Sequence, residues 1–101
     1  MSMPVDFRPV DVICQFSSDG SIIPMRLRLV DETGEYQTLN IKGYRDLSFG
    51  GARQMPDGVF ISDKFRAFEC NVVAFGRQRT LYLYFDTVHN IWKMNLKGVV
   101  S

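Results

Sequence analysis

An all-β fold is what this sequence predicts: a small antiparallel barrel or sandwich of about six to seven strands joined as a meander of hairpins. Three observations carry the expectation. Apolar residues recur with period two in several separate stretches, and the dipeptides between them favour tight turns. No window holds the three-and-four spacing of an amphipathic helix.

Taken in order, residues 1–9 read as a flexible arm and residues 10–101 as one domain. Val10, Val12, Cys14 and Phe16 alternate with Asp11, Ile13 and Gln15, the pattern of a strand with one buried face. Asp19-Gly20 then favours positive φ at the centre of a hairpin. Across it, Val12 is expected opposite Leu27 and Cys14 opposite Met25. Pro24 has no N–H for a ladder, which marks an edge or a bulge. The Asp31–Gly34 turn breaks parity: a four-residue loop sets Leu29 against Tyr36 and Leu27 against Thr38, with Leu39 on the wrong face. A bulge near Gly34 is predicted to return Leu39 and Ile41 to the inside. Residues 44–61 are irregular, with Gly50-Gly51 and Met55-Pro56-Asp57-Gly58 as loops around a short strand or turn.

The last three strands are tied together by register. Phe68, Cys70, Val72 and Ala74 alternate with Glu69, Asn71 and Val73. With Gly76-Arg77 at the centre of a type II′ turn, Val72 faces Leu81, Cys70 faces Leu83 and Phe68 faces Phe85. A four-residue loop from Thr87 to Asn90 then sets Phe85 against Trp92, Leu83 against Met94 and Leu81 against Leu96. A one-residue slip would turn every one of these outward.

Composition removes several functions. The 101 residues are 46% hydrophobic and 23% charged, enough for one core, and a net charge of +1 creates no bulk field. No apolar run approaches a membrane-spanning length, and no leader pattern opens the chain, so no membrane role is expected. Cys14, Cys70 and the single His89 are far apart in sequence, so neither a metal nor a cofactor is expected. Both cysteines sit among alternating apolar residues, which with five methionines fits a reducing, cytoplasmic setting. His89 lies in a turn, Asp19, Asp31, Asp57 and Asp86 occupy positions that turns favour, and Gly50-Gly51 lacks the lysine and helix of a phosphate loop. No enzyme is expected, and no catalytic residue is assigned.

Binding remains. Arg26 and Arg28 project from one strand face, where paired guanidiniums suit carboxylates or phosphates and otherwise simply solvate the strand. Tyr82 and Tyr84 alternate outward, and Ile13, Val73 and Phe75 are apolar on faces that alternation places outside. An interface with another protein or with a second copy is the leading reading, against local cover by the arm and residues 44–61. The alternative is single-stranded nucleic acid stacked on Tyr82 and Tyr84 beside Arg26 and Arg28. Against it, the expected neighbours of Tyr84 are Glu69 and Lys93 and those of Tyr82 are Asn71 and Asn95, ordinary cross-strand pairs. A ligand pocket inside the barrel is a third reading, although barrels of this strand number are normally filled by side chains.

The run Phe16-Ser17-Ser18-Asp19-Gly20-Ser21-Ile22-Ile23-Pro24-Met25-Arg26-Leu27-Arg28, followed by Phe68-x-Cys70, Tyr82-x-Tyr84 and a late Trp92, resembles a group of short uncharacterised bacterial proteins. The resemblance spans most of residues 10–96 and implies kinship. It implies no activity.

Overall fold

The computed structural model describes residues 5–30, 33–48, 51–74 and 76–96. Asp31, Gly50 and Phe75 lie outside the described residues. Along the chain run β1 (Phe7–Phe16), β2 (Ile22–Val30), β3 (Tyr36–Asp46), β4 (Arg53–Gln54), β5 (Phe60–Ile61), β6 (Phe65–Ala74), β7 (Arg77–Asp86) and β8 (Ile91–Asn95). Six of these close into an antiparallel barrel in the order β1-β2-β3-β6-β7-β8, and β4 and β5 form a separate two-stranded hairpin. Closure comes from β1 against β8, with Phe7 opposite Asn95 and Val10 opposite Trp92. The strand therefore starts before Pro9, and Phe7–Pro9 belong to the barrel rather than to an arm. Pro9 is tolerated because pairing with β2 begins only at Asp11, so one side of the strand is an open edge at Pro9.

Inside the barrel the period-two residues meet as one core. Leu27, Phe68, Cys70, Val72 and Leu83 are fully buried, with Trp92 and Phe85 beside them and Val10, Val12, Cys14 and Ile41 packed on the rim. Phe68 stacks at a tilt on Trp92 with ring centroids 5.6 Å apart, and Phe85 sits 5.1 Å from the same indole.

Three registers differ from expectation, each for a local reason. Between β6 and β7 the pairs are Cys70 with Leu81, Phe68 with Leu83 and Arg66 with Phe85, two residues away from the predicted set. Ala74 faces Arg77, so Gly76 (φ 73°) is the second central residue of the turn instead of the first. A shift of two preserves the inward face. In β2, Val12 meets Leu27 as expected, but Cys14 meets Pro24 and Met25 is the extra residue of a bulge, half exposed. Proline at that point gives up no ladder bond. Between β2 and β3 the chain uses residues 31–35, one more than the four-residue loop, and Gly34 has φ 86°. The extra residue sits in the connection, so Leu27 meets Leu39 and the ladder itself stays regular. An unforeseen bulge at Lys42 separates the pair Ile41–Val72 from Gly43–Asn71. The β7–β8 turn follows expectation, with Phe85 opposite Trp92.

The irregular middle segment builds a second, external core. The β4–β5 hairpin is closed by Met55 N donating to Val59 O (2.7 Å) and Gly58 N donating to Met55 O (2.9 Å), with Gly58 at φ 89°. Its Met55, Val59 and Ile61 bury Ala67 and Tyr84, with Phe7, Leu47, Phe65 and Tyr82 at the margin. Ala67 and Tyr84 alternate with the interior residues Phe68, Leu83 and Phe85, so the hairpin lies on the outside of the barrel.

Candidate functional site

The barrel thus has two unlike outer faces. One, over β6, β7, β8 and the start of β1, is covered by the chain's own hairpin. Tyr84 is completely buried there, its hydroxyl donating to Asp57 Oδ1 at 2.7 Å, its ring edge-on to Phe7 at 5.4 Å. Asn95 completes the clasp by donating to Asp57 O (2.9 Å) while its side-chain oxygen accepts from Asp6 N (2.9 Å). Tyr82 is half-buried and reaches Glu69 Oε2 at 3.4 Å.

These placements correct the stacking platform. The two-residue register shift puts Tyr84 between Ala67 and Lys93 and Tyr82 opposite Glu69. Tyr84 has no surface on which a base could stack. In the closed order β2 and β7 are three strands apart in either direction. Arg26 and Arg28 therefore lie on the opposite side of the barrel from Tyr82 and Tyr84.

Burial pushes the Tyr84 phenol well above its ordinary range, reinforced by the bond to the Asp57 carboxylate. The Cys70 thiol is likewise pushed up to about 12, first by burial and then by Glu69. Both groups hold their proton better folded than unfolded, so their stabilisation is complete below the unfolded pKa and is lost as pH rises. Unfolding free energy measured in urea with reductant is expected to fall from about pH 8.5. Cys70 alone contributes about 1.4 kcal/mol per pH unit, and Cys14, also raised by burial, adds to it. The fall steepens above about pH 10 as Tyr84 and the likewise raised Tyr82 join. Tyr84→Phe should flatten the part above pH 10 and leave the lower part unchanged. Parallel curves for the two proteins would remove Tyr84 from this account.

The other face, over β1, β2 and β3, has no such cover among the described residues. Arg26 and Arg28 stand side by side on it, both exposed. Arg28 bonds Asp11 Oδ2 across the β1–β2 ladder at 2.7 Å and lies over the Tyr36 ring at 4.5 Å. The Asp11 bond holds its pKa up. Arg26 donates through Nε to the side-chain oxygen of Asn40 at 3.0 Å, a neutral partner. Around them Ile13 (60% exposed), Met25, Val30 and Tyr36 present apolar surface to solvent. Sequence reasoning found Arg26, Arg28 and Ile13, whose alternation is regular. It missed Met25, turned out by the bulge, and Tyr36, whose strand parity depended on one loop residue. Pro24 was the signal for the first of these.

Elsewhere, polar groups are occupied with holding turns. Asp86 accepts from Val88 N and His89 N through Oδ1 and lies 2.8 Å from His89 Nδ1 through Oδ2. The His89 bond, first among several, holds the Asp86 carboxyl below its ordinary range. The open cleft of about 700 Å³ at the barrel mouth contains Arg66, which donates to Gly20 O at 3.0 Å and to Asp46 Oδ2 at 2.9 Å and so ties the β1–β2 turn to the end of β3. Among the described residues no three His, Cys, Asp or Glu side chains are grouped to hold a metal ion, and no helix is long and apolar enough to cross a membrane. Comparison with known proteins finds no matching family model, no matching curated protein and no matching solved structure.

Proposed function

We propose that this chain is a non-catalytic β-barrel binding module that works through the outer face of β1, β2 and β3 on a protein surface, either another protein or a second copy. One observation carries the reading. The chain spends a hairpin on covering one apolar outer face, yet leaves Ile13, Met25, Val30 and Tyr36 exposed around two arginines on the other. Exposed apolar groups collected beside arginine are the usual composition of an interface centre. The free thiols of Cys14 and Cys70 support a reducing, cytoplasmic setting.

A photo-crosslinking amino acid at Ile13 tests this, applied to the purified chain and to cells that express it. Discrete adducts whose yield falls with Arg26→Ala are expected. The same group at Phe60, which is 71% exposed on the hairpin that covers the other face, should give none. Equal yields from both positions would overturn the reading.

A further inference from the structure

Resting on that reading, we propose a specific occupant for the β1–β2–β3 face: an extended acidic segment of another protein, with carboxylates on Arg26 and Arg28 and aliphatic side chains on Ile13 and Met25.

The shape of the face selects an extended chain. β1 pairs with β2 from Asp11–Arg28 up to Phe16–Ile22, whereas Phe7–Val10 pair on the opposite side with β8. The seam between β1 and β2 opens below Asp11. Two depressions of about 390 and 380 Å³ follow it, and Asp11 and Arg28 line both. The result is a groove running along the strands, suited to a peptide in strand conformation.

Charge selects an acidic one. The groove carries three guanidiniums, Arg8, Arg26 and Arg28, and one carboxylate, Asp11. Arg8 is already paired with Asp6 at 2.7 Å, whereas Asn40 does nothing to neutralise Arg26. Asp11 already displays how a carboxylate sits on Arg28, at 2.7 Å in a solvent-exposed pair of the kind that contributes little and exchanges readily. An incoming glutamate or aspartate would make the same charge-assisted bond and give Arg26 the anion it lacks.

The apolar neighbours decide between occupants. Ile13 stands directly opposite Arg26 in the ladder, and Met25 precedes it at the bulge. A phosphodiester chain has no aliphatic groups for these two residues. The aromatic ring on this face, Tyr36, already carries the Arg28 guanidinium over one side, at 4.5 Å, and no second ring stands beside it among the described residues to continue a stack of bases. A second copy would bring the same cationic excess against its own kind.

The test is fluorescence anisotropy at low and near-physiological salt with three labelled probes. They are a short peptide alternating glutamate with leucine, its lysine–leucine counterpart, and a mixed-sequence single-stranded oligonucleotide. The acidic peptide is expected to bind and the other two are not. Arg26→Ala should weaken that binding about ten-fold, the scale of one charged hydrogen bond, and Ile13→Asp should weaken it comparably. Asp11→Asn should tighten it by removing the competing carboxylate. All three positions are exposed, and matching melting curves would establish that the variants fold. Preferential binding of the oligonucleotide, equal binding of both peptides, or no binding to any probe would overturn the acidic occupant. Persisting adducts from Ile13 would then leave the binding face standing, and their absence would remove both.

Discussion

Replacing Tyr84 by alanine is expected to lower the unfolding free energy by about 3–5 kcal/mol, the range for deleting a fully buried aromatic side chain. The loss should begin locally. Tyr84 is the largest buried side chain that the barrel gives to the external core, touching Phe7 edge-on and holding Asp57 through its hydroxyl. Without it Met55, Val59 and Ile61 face a cavity instead of a ring. The amides of Met55 and Gly58, bonded only within the hairpin, should then exchange with solvent far faster than those of β7. Tyr84→Phe keeps the ring and leaves Asp57 without its phenolic donor, so a smaller loss of about 1–3 kcal/mol follows. Equal acceleration of exchange in the hairpin and in the barrel strands after Tyr84→Ala would show that the two cores melt as one.

Phe68→Ala is expected to cost a similar amount, about 3–5 kcal/mol, with a different outcome. Phe68 faces the interior, fully buried, with its ring against Trp92 and, at 6.3 Å, Tyr44. It pairs with Leu83 on one side and Asp46 on the other, so the cavity opens at the centre of two ladders. No local unit can detach to absorb the loss. Against a typical total of about 5–15 kcal/mol, the whole barrel should melt earlier by about 4–8 °C per kcal/mol lost. The single tryptophan, Trp92, reports this directly through its fluorescence. A melting temperature within a few degrees of the parent would contradict the assignment of Phe68 to the centre of the core.

What could be read in advance follows from what a two-residue period contains. Alternation identifies which side chains share a face, and Phe68, Cys70, Leu81, Leu83, Phe85 and Trp92 all proved to be inside. It cannot distinguish registers two residues apart, because both keep that face. The β6–β7 turn therefore could be centred one residue early without disturbing any burial. Bulges are harder still, since Met25 and Lys42 look like ordinary members of their strands until the ladder slips around them. The candidate face was legible through Arg26 and Arg28, but not its separation from Tyr82 and Tyr84. That separation depends on strand order around a closed ring, and hairpins specify neighbours only. Nor does a strand pattern say what covers an outward tyrosine. Met55, Val59 and Ile61 are spaced irregularly, and only the folded hairpin brings them over Tyr84.

Ring closure between β1 and β8 also governs the order of events during folding. Asp6 and Asn95, bonded at this seam, are 89 positions apart in the chain, so the loop entropy of joining them is met only near the end of the process. Every other hairpin of the barrel can form as it leaves the ribosome, but β1 waits with one edge unpaired until β8 has been synthesised. During that interval a neighbouring nascent chain offers the same partner strand at a distance set by concentration rather than by sequence. Crowded synthesis is the circumstance in which two such barrels would close on each other's strands, and slowing initiation would favour each closing on its own.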